Sequence, residues 1–395
     1  MLRKIRKLIV HPNRYFYDYF RKKLGFRKFF VTDKIRQLDT ANHQKWFKVL
    51  FYHPYLYLYY KFNKKLRNPA YPILVDYRIE NNNKSFMGGG KQQVLAVELE
   101  NQNTIYFTDS AIVEKVLEDK EPYLAGKIFK FKLEGRKNKI VLGSKISFDK
   151  SCKFIIRGSE NVVQLGSGSI FSSGVTITFE KDRNHLFAGT NSRFRTNAKI
   201  NFKSNNGLAY FGNDSSISSC NISIYMNSMF FYGSGCSANS GLTCKIYFDS
   251  NILIGSDCML SCNIYMRTND AHGLYDAESK KLLNTTKNII IGAHVWIGQD
   301  VFISKGTKIN NGCVLGARSL VTITNTPEKS VVAGVPAKII KDNIIWDRRF
   351  PSVERKCPEI NKYEIGLDRL SKINDIGLNN DAIDKVKIIQ HILNS

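Results

Sequence analysis

Residues 291–321 read IGAHVWIGQDVFISKGTKINNGCVLGARSLV, and in them Ile291, Ile297, Ile303, Ile309, Leu315 and Val321 fall six residues apart. A helix face recurs about every 3.6 residues and a half-buried strand face every second residue, so neither explains the beat. A chain wound into a triangular coil does. Six residues make one side, a short strand and a tight bend, and one side chain per side points into the prism. Eighteen residues close a turn.

The same beat runs upstream with longer turns. Leu142, Phe148 and Phe154 are six apart, as are Leu165, Phe171 and Ile177, and Ala188, Phe194 and Ile200. Phe211, Ile217 and Ser223 follow, then Tyr232, Ala238 and Cys244, then Ile254, Leu260 and Met266. Each triplet opens just before a glycine: Gly143, Gly166, Gly189, Gly212, Gly233 and Gly255, spaced 23, 23, 23, 21 and 22 residues apart. Self-similarity at such a period marks a solenoid, here a parallel β-helix whose turns bury one another. The three to five extra residues per turn are expected to widen the third side or to form loops.

The rest of the chain is read around this coil. With 395 residues and 43% hydrophobic content, two or three folded domains are expected. Abundant Asn, Asp, Ser and Gly argue against helix in the middle. No uncharged apolar run is long enough for a transmembrane helix. The basic start lacks the apolar core and cleavage site of a signal peptide. The eight cysteines form no C-x-x-C pair, so they read as small buried thiols of a reducing compartment, not as a zinc site.

Charge is uneven. Of the net +25, residues 1–67 hold 18 Lys and Arg against three Asp, a local +15. Such a segment suits an acidic partner: a polyanionic polymer, nucleic acid or an anionic membrane surface. The expected organisation is a basic, aromatic-rich helical region (1–68), a small α/β module (69–138), the β-helix (139–341) and a helical tail (342–395). The stretch MGGGK (87–91) is read as a turn, because the strand–GxxxxGK[ST]–helix context of a phosphate loop is missing.

The ordered set DAHGLYD, HVWIG, LGARS and AGVPAKII between residues 270 and 340 resembles the left-handed β-helix, hexapeptide-repeat acyltransferases. Within them it is similar to the branch that O-acetylates sugars and capsular sialic acids. The resemblance covers about residues 252–341. It implies left-handed coiling, a homotrimer, and active sites in clefts between neighbouring coils. It also implies acetyl-CoA as the acyl donor.

Acyl transfer to a sugar hydroxyl needs a base near neutrality, a task suited to imidazole. It also needs hydrogen-bond donors for the oxyanion and a groove for the coenzyme. Of seven histidines, His272 lies in NDAHGLYDAESKKLLN, a loop that interrupts the coil twenty residues before Gly292. The resemblance places the general base in such a loop, so His272 is the expected base. His294, inside HVWIG, is its rival. Asp270 is the preferred orienting carboxylate, with Asp276 as the alternative. By resemblance, Trp296 walls the cleft with His294 and Gln299 beside it. Gly316, Ala317 and Thr322 match positions along the pantetheine arm, and Lys338 and Lys341 match positions near the phosphates. The residue after Thr322 is Ile323, where relatives often carry lysine.

The expectation is therefore an acetyl-CoA-dependent O-acetyltransferase of an acidic capsular polysaccharide, with direct transfer and no metal. It is expected to be a cytoplasmic homotrimer, with residues 1–67 as the candidate contact to the inner membrane face or to capsule-assembly machinery; no nucleic acid is expected. Two alternatives stand: an acetyltransferase of a nucleotide-linked sugar, and a non-catalytic trimeric scaffold binding a polyanion or membrane.

Overall fold

A computed structural model of the chain describes residues 74–81, 93–107, 131–149 and 151–349. The chain separates into two compact units, residues 1–71 and 72–395, and every described residue belongs to the second. The expected basic helical region lies outside the described residues, as do residues 108–130 of the expected α/β module and most of the C-terminal tail.

The coil winds through three sheets of 11, 10 and 9 strands, parallel wherever one turn pairs with the next, which we call the first, second and third faces in the order the chain meets them. In one regular turn these are Ile289–Ile291, Trp296–Ile297 and Phe302–Ile303. Each strand pairs with its equivalent one turn on: Ile291 with Ile309, Ile297 with Leu315, and Ile303 with Val321. All six of these side chains are fully buried. The six-residue beat is thus the inward column of a parallel β-helix, consistent with the left-handed β-helix of hexapeptide-repeat acyltransferases. Burying each large aliphatic or aromatic side chain contributes about 1.5–3 kcal/mol, and the turns supply one another's cover.

The extra residues of the longer turns do not loop out. They lengthen the strands of the first and third faces to four residues, as in Thr176–Phe179 and His185–Ala188, while the second face keeps two, as in Arg193–Phe194. At about 3.3 Å per strand residue, the wide turns reach roughly 7 Å further toward the corner between the third and first faces. Phenylalanines fill the added volume: Phe179 stacks on Phe202 with centroids 4.4 Å apart, and Phe171 on Phe194 at 4.7 Å. That corner is laced by a buried asparagine ladder. Asn138 Oδ1 accepts from the Asn161 backbone N–H at 2.9 Å, Asn161 Oδ1 from Asn184 N–H at 2.9 Å, and Asn184 Oδ1 from Gly207 N–H at 2.7 Å. The side chains do the work of turn hydrogen bonds where the backbone bends away from the sheets.

Left-handed residues close the corners. Asn191, Asp214, Asp257 and His294 recur at the first corner, with φ of 57°, 55°, 57° and 51°. Asn and Asp tolerate this region better than most residues. The glycine before each such corner has a different reason: a Cβ on Gly255 would lie 2.6 Å from the backbone of Gly292 in the next turn.

Two expectations change here. The strands of the supposed α/β module are not a free-standing sheet. Leu74–Asn81, Gln93–Leu99 and Thr104–Phe107 form an antiparallel extension of the first face, joined to Lys139–Leu142 in parallel. Phe131–Leu133 already pairs with Lys153–Ile156 on the third face. The edge of a stacked coil offers unpaired backbone groups, and these strands satisfy them. At the other end, residues 342–349 carry no helix; they form an extended strap that climbs back along the first corner. Between them, the last coil ends in the hairpin Val331–Gly334 and Ala337–Lys341. Among the described residues, no helix is long and apolar enough to cross a membrane.

Candidate active site

The coil narrows from wide to regular turns after Tyr265–Arg267, and the loop carrying His272 emerges at that step, from the corner between the third and first faces. A short hairpin shapes it. Tyr275 bridges Leu282, Leu283 N–H donates to the Leu274 carbonyl at 2.7 Å, and the Asp276 carboxylate caps the turn by accepting from Ser279 N–H at 2.7 Å. Those turn bonds from Ser279 hold the Asp276 carboxyl below the usual carboxylate range. His272 itself is exposed.

Asp270 does not reach the His272 ring. Its carboxylate accepts from Lys305 Nζ at 2.6 Å, Asn284 Nδ2 at 3.0 Å and Arg267 at 3.4 Å. The lysine bond, with the others, depresses its pKa. Asp276 is spent on its turn, so neither carboxylate expected from the sequence orients the imidazole directly. Asn284 is the residue next to it: Nδ2 donates to the His272 carbonyl at 2.8 Å, and Oδ1 accepts from Leu274 N–H at 2.8 Å.

His294 lies in different surroundings. Its ring is buried at the first corner, with Nδ1 2.6 Å from Asp257 Oδ2 and Nε2 3.0 Å from the Trp346 carbonyl. Both ring nitrogens thus have a hydrogen-bond partner. Trp346 stacks on it and returns a bond from Nε1 to the His294 carbonyl at 2.9 Å. Arg348 continues the strap, donating to Asp257 at 2.7 Å, Ser237 at 2.8 Å and the Cys258 carbonyl at 2.6 Å. Burial alone would raise the Asp257 carboxyl, but the bond from His294 and the Arg348 charge outweigh it and lower it. The ring is thus bonded at both nitrogens and covered by the Trp346 indole.

The remaining residues gather elsewhere. Trp296 projects outward from the second face, 40% exposed, with Gln299 at the following corner. Gly316 and Ala317 occupy that corner one turn on: a Cβ on Gly298 would lie 2.7 Å from Ala317 N. Lys338 and Lys341 lie exposed in the hairpin that ends the same face, Lys338 opposite Ala333. An exposed indole, a corner of small residues and two cations follow one another along one side of the prism. Thr322 falls apart from this column, at the end of the third face.

The cysteines belong to the core. Six of the seven described are buried, Cys262 is partly exposed, and none is in a disulfide. Burial pushes the Cys220 thiol up to about 12, so it is no nucleophile near neutrality.

One topological fact organises the site. The His272 loop leaves the corner between the third and first faces, whereas Trp296 sits on the second. In a triangular prism that corner lies opposite that face.

Fold and site together define a β-helix acyltransferase. Comparison with known proteins sharpens the class. No family model matches the chain. The chain is 32% identical over 180 residues to the polysialic acid O-acetyltransferase of Neisseria meningitidis, a match covering 40% of this chain and 84% of that protein. It is 42% identical over 98 residues to the polysialic acid O-acetyltransferase of Escherichia coli O1:K1, covering 25% of this chain and 32% of that one. The second match thus spans about a third of its relative's length. A solved polysialic acid O-acetyltransferase, OatWY, aligns at 29% identity over 50% of this chain and 92% of that one, with a TM-score of 0.47. The chain belongs to the polysialic acid O-acetyltransferase family of hexapeptide-repeat enzymes. It is an acetyl-transferring acyltransferase.

Proposed function

We propose that the protein transfers the acetyl group of acetyl-CoA directly to a hydroxyl of an acidic bacterial surface polysaccharide. The match across 84% of the Neisseria relative carries this reading. The +15 of residues 1–67 supports an acidic acceptor, although that segment lies outside the described residues.

His272 acts as the base. Its imidazole takes the proton of the sugar hydroxyl as the oxygen attacks the thioester carbonyl. The C–S bond then breaks, the acetyl ester forms, and the imidazolium returns the proton to the departing thiolate. Trp296 walls the cleft against water. Lys338 and Lys341 attract the phosphates, and Gly316 and Ala317 let the pantetheine arm lie close to the backbone.

Because His272 and Trp296 sit on opposite sides of one prism, each cleft is completed by a second copy: the loop of one protomer meets the second face of its neighbour. Three equivalent clefts close a trimer. The exposed loop residues Leu274, Tyr275 and Leu283, each about 60% exposed, fit this reading as a surface awaiting a neighbour.

The test is incubation with labelled acetyl-CoA and a panel of de-O-acetylated acidic capsules, polysialic acid among them, beside nucleotide-linked sugars. Label in a polymer is the expected result. Label in a nucleotide sugar and in no polymer would replace the acceptor class, and no transfer to any acceptor would contradict the reading.

A further inference from the structure

We infer that Lys305 and Asn284 are positioning residues for acyl transfer, locking the His272 loop to the rigid coil through Asp270; this rests on the reading of His272 as the base.

The need for such a lock arises from the step in the coil. Turns above the loop are wide and turns below are narrow, so the loop leaves the scaffold over a ledge, without a strand beneath it. A loop of twenty residues in that position loses considerable conformational entropy on ordering, and hydrogen bonds must offset it. Lys305 stands at the corner of the first narrow turn, in the segment after Phe302–Ile303. Its side chain crosses the ledge and is only 15% exposed. There Nζ donates to Asp270 Oδ2 at 2.6 Å and to the Asn284 carbonyl at 2.9 Å, tying the first and last thirds of the loop to one ammonium. Asn284 carries the hold onward to the histidine. Its amide brackets residues 272–274 from both ends, accepting from Leu274 N–H and donating to the His272 carbonyl and to Asp270. Asn269 adds two supports, donating to Thr286 Oγ1 at 2.8 Å and accepting from Ala271 N–H at 2.7 Å. Ala271 itself has a φ of 70°, a conformation an alanine adopts only when its surroundings fix it.

The arrangement assigns two roles to one ion pair. An exposed Lys–Asp pair contributes little to stability. This one is shielded, shared with an amide, and attached to the segment that aims the base. Misplacing a catalytic group by about 1 Å can cost on the order of 100-fold. Lys305 and Asn284 should therefore be felt in turnover far more than in coenzyme binding, whose residues lie on the opposite side of the prism.

The test compares Lys305→Met, Asn284→Ala, His272→Ala and the Lys305→Met/His272→Ala pair as full-length proteins. The acceptor is the capsule that the wild type acetylates, and oligomeric state is checked by light scattering. Both positioning variants are expected to lower kcat roughly 10- to 100-fold while the KM for acetyl-CoA stays within about twofold. The double variant is expected to be no slower than His272→Ala alone, because an aim without a base has nothing to lose. Asn284→Ala keeps the comparison valid should Lys305→Met fail to fold. An inactive His272→Ala beside near-normal Lys305→Met and Asn284→Ala would overturn the positioning role and leave the base assignment standing. Multiplicative loss in the double variant would also overturn it. Near-normal turnover in His272→Ala would overturn the base itself, and the positioning role with it.

Discussion

The His294 imidazole lies flat on the Trp346 indole, centroids 4.0 Å apart and planes 18° from parallel. A residue of the acyltransferase motif is thereby pinned by a strap that follows the last coil. The strap crosses successive turns, with Ile344 on Lys329, Trp346 on His294 and Arg348 on Asp257 and Gly235. It ties successive turns of the coil to one another.

Trp346→Ala removes a buried indole, its bond to His294 and the cover over that ring. Aromatic-to-alanine changes at buried sites cost about 3–5 kcal/mol. A clear drop in melting temperature is expected by circular dichroism. An unchanged melt would mean the strap is ornamental.

Acid should loosen the same region. The carboxyls of Asp257 and Asp270 are both lowered in the folded chain. A depressed folded pKa contributes stability that is fully present above the ordinary carboxylate value of about 3.9 and is lost as pH falls through the folded value. Thermal stability should thus be level down to about pH 4 and fall below it. Asp257→Asn and Asp270→Asn should each flatten that fall, as read from melts across pH.

The asparagine ladder predicts a core lesion with no cavity of note. In Asn161→Ala, the Asn184 backbone N–H loses its acceptor, and Asn138 Oδ1 loses the 3.1 Å bond from Asn161 Nδ2. A buried polar group left unpaired costs about 1–3 kcal/mol. Urea unfolding should show a lower midpoint at an unchanged slope, and Asn161→Asp should not restore it.

Placing His272 and Trp296 in different copies of one cleft predicts complementation. His272→Ala and Trp296→Ala, unfolded together and reassembled, should form mixed trimers in which some clefts hold both residues. Their activity should exceed the mean of the two parents. The double variant mixed with wild type serves as the reference. Activity equal to the parental mean would place both residues in one protomer.

Much of this was legible in the sequence because a solenoid is nearly one-dimensional. Ile291 predicts Ile297 and Ile309 by counting, since each turn meets only its neighbours. The loop was legible for the same reason: His272 stands where the count breaks. Contacts that cross the count were not. Nothing near Lys305 announces Asp270, 35 residues earlier, and nothing near Trp346 announces His294, 52 residues earlier. The coil alone brings them together. The extra residues of the wide turns could be counted, but not assigned to longer strands instead of loops. That choice depends on Phe179 and Phe202 finding each other inside the prism. The packing of His294 was not legible either, because a motif position reveals that a histidine is needed, not what surrounds its ring.

The central claim is that the exposed loop histidine, not the buried corner one, removes the proton. Steady-state acetylation by His272→Ala tests it most directly. Turnover is predicted to fall by about 10²–10⁴, with trimer state and the KM for acetyl-CoA preserved. A folded His272→Ala trimer with near-normal turnover would contradict the account.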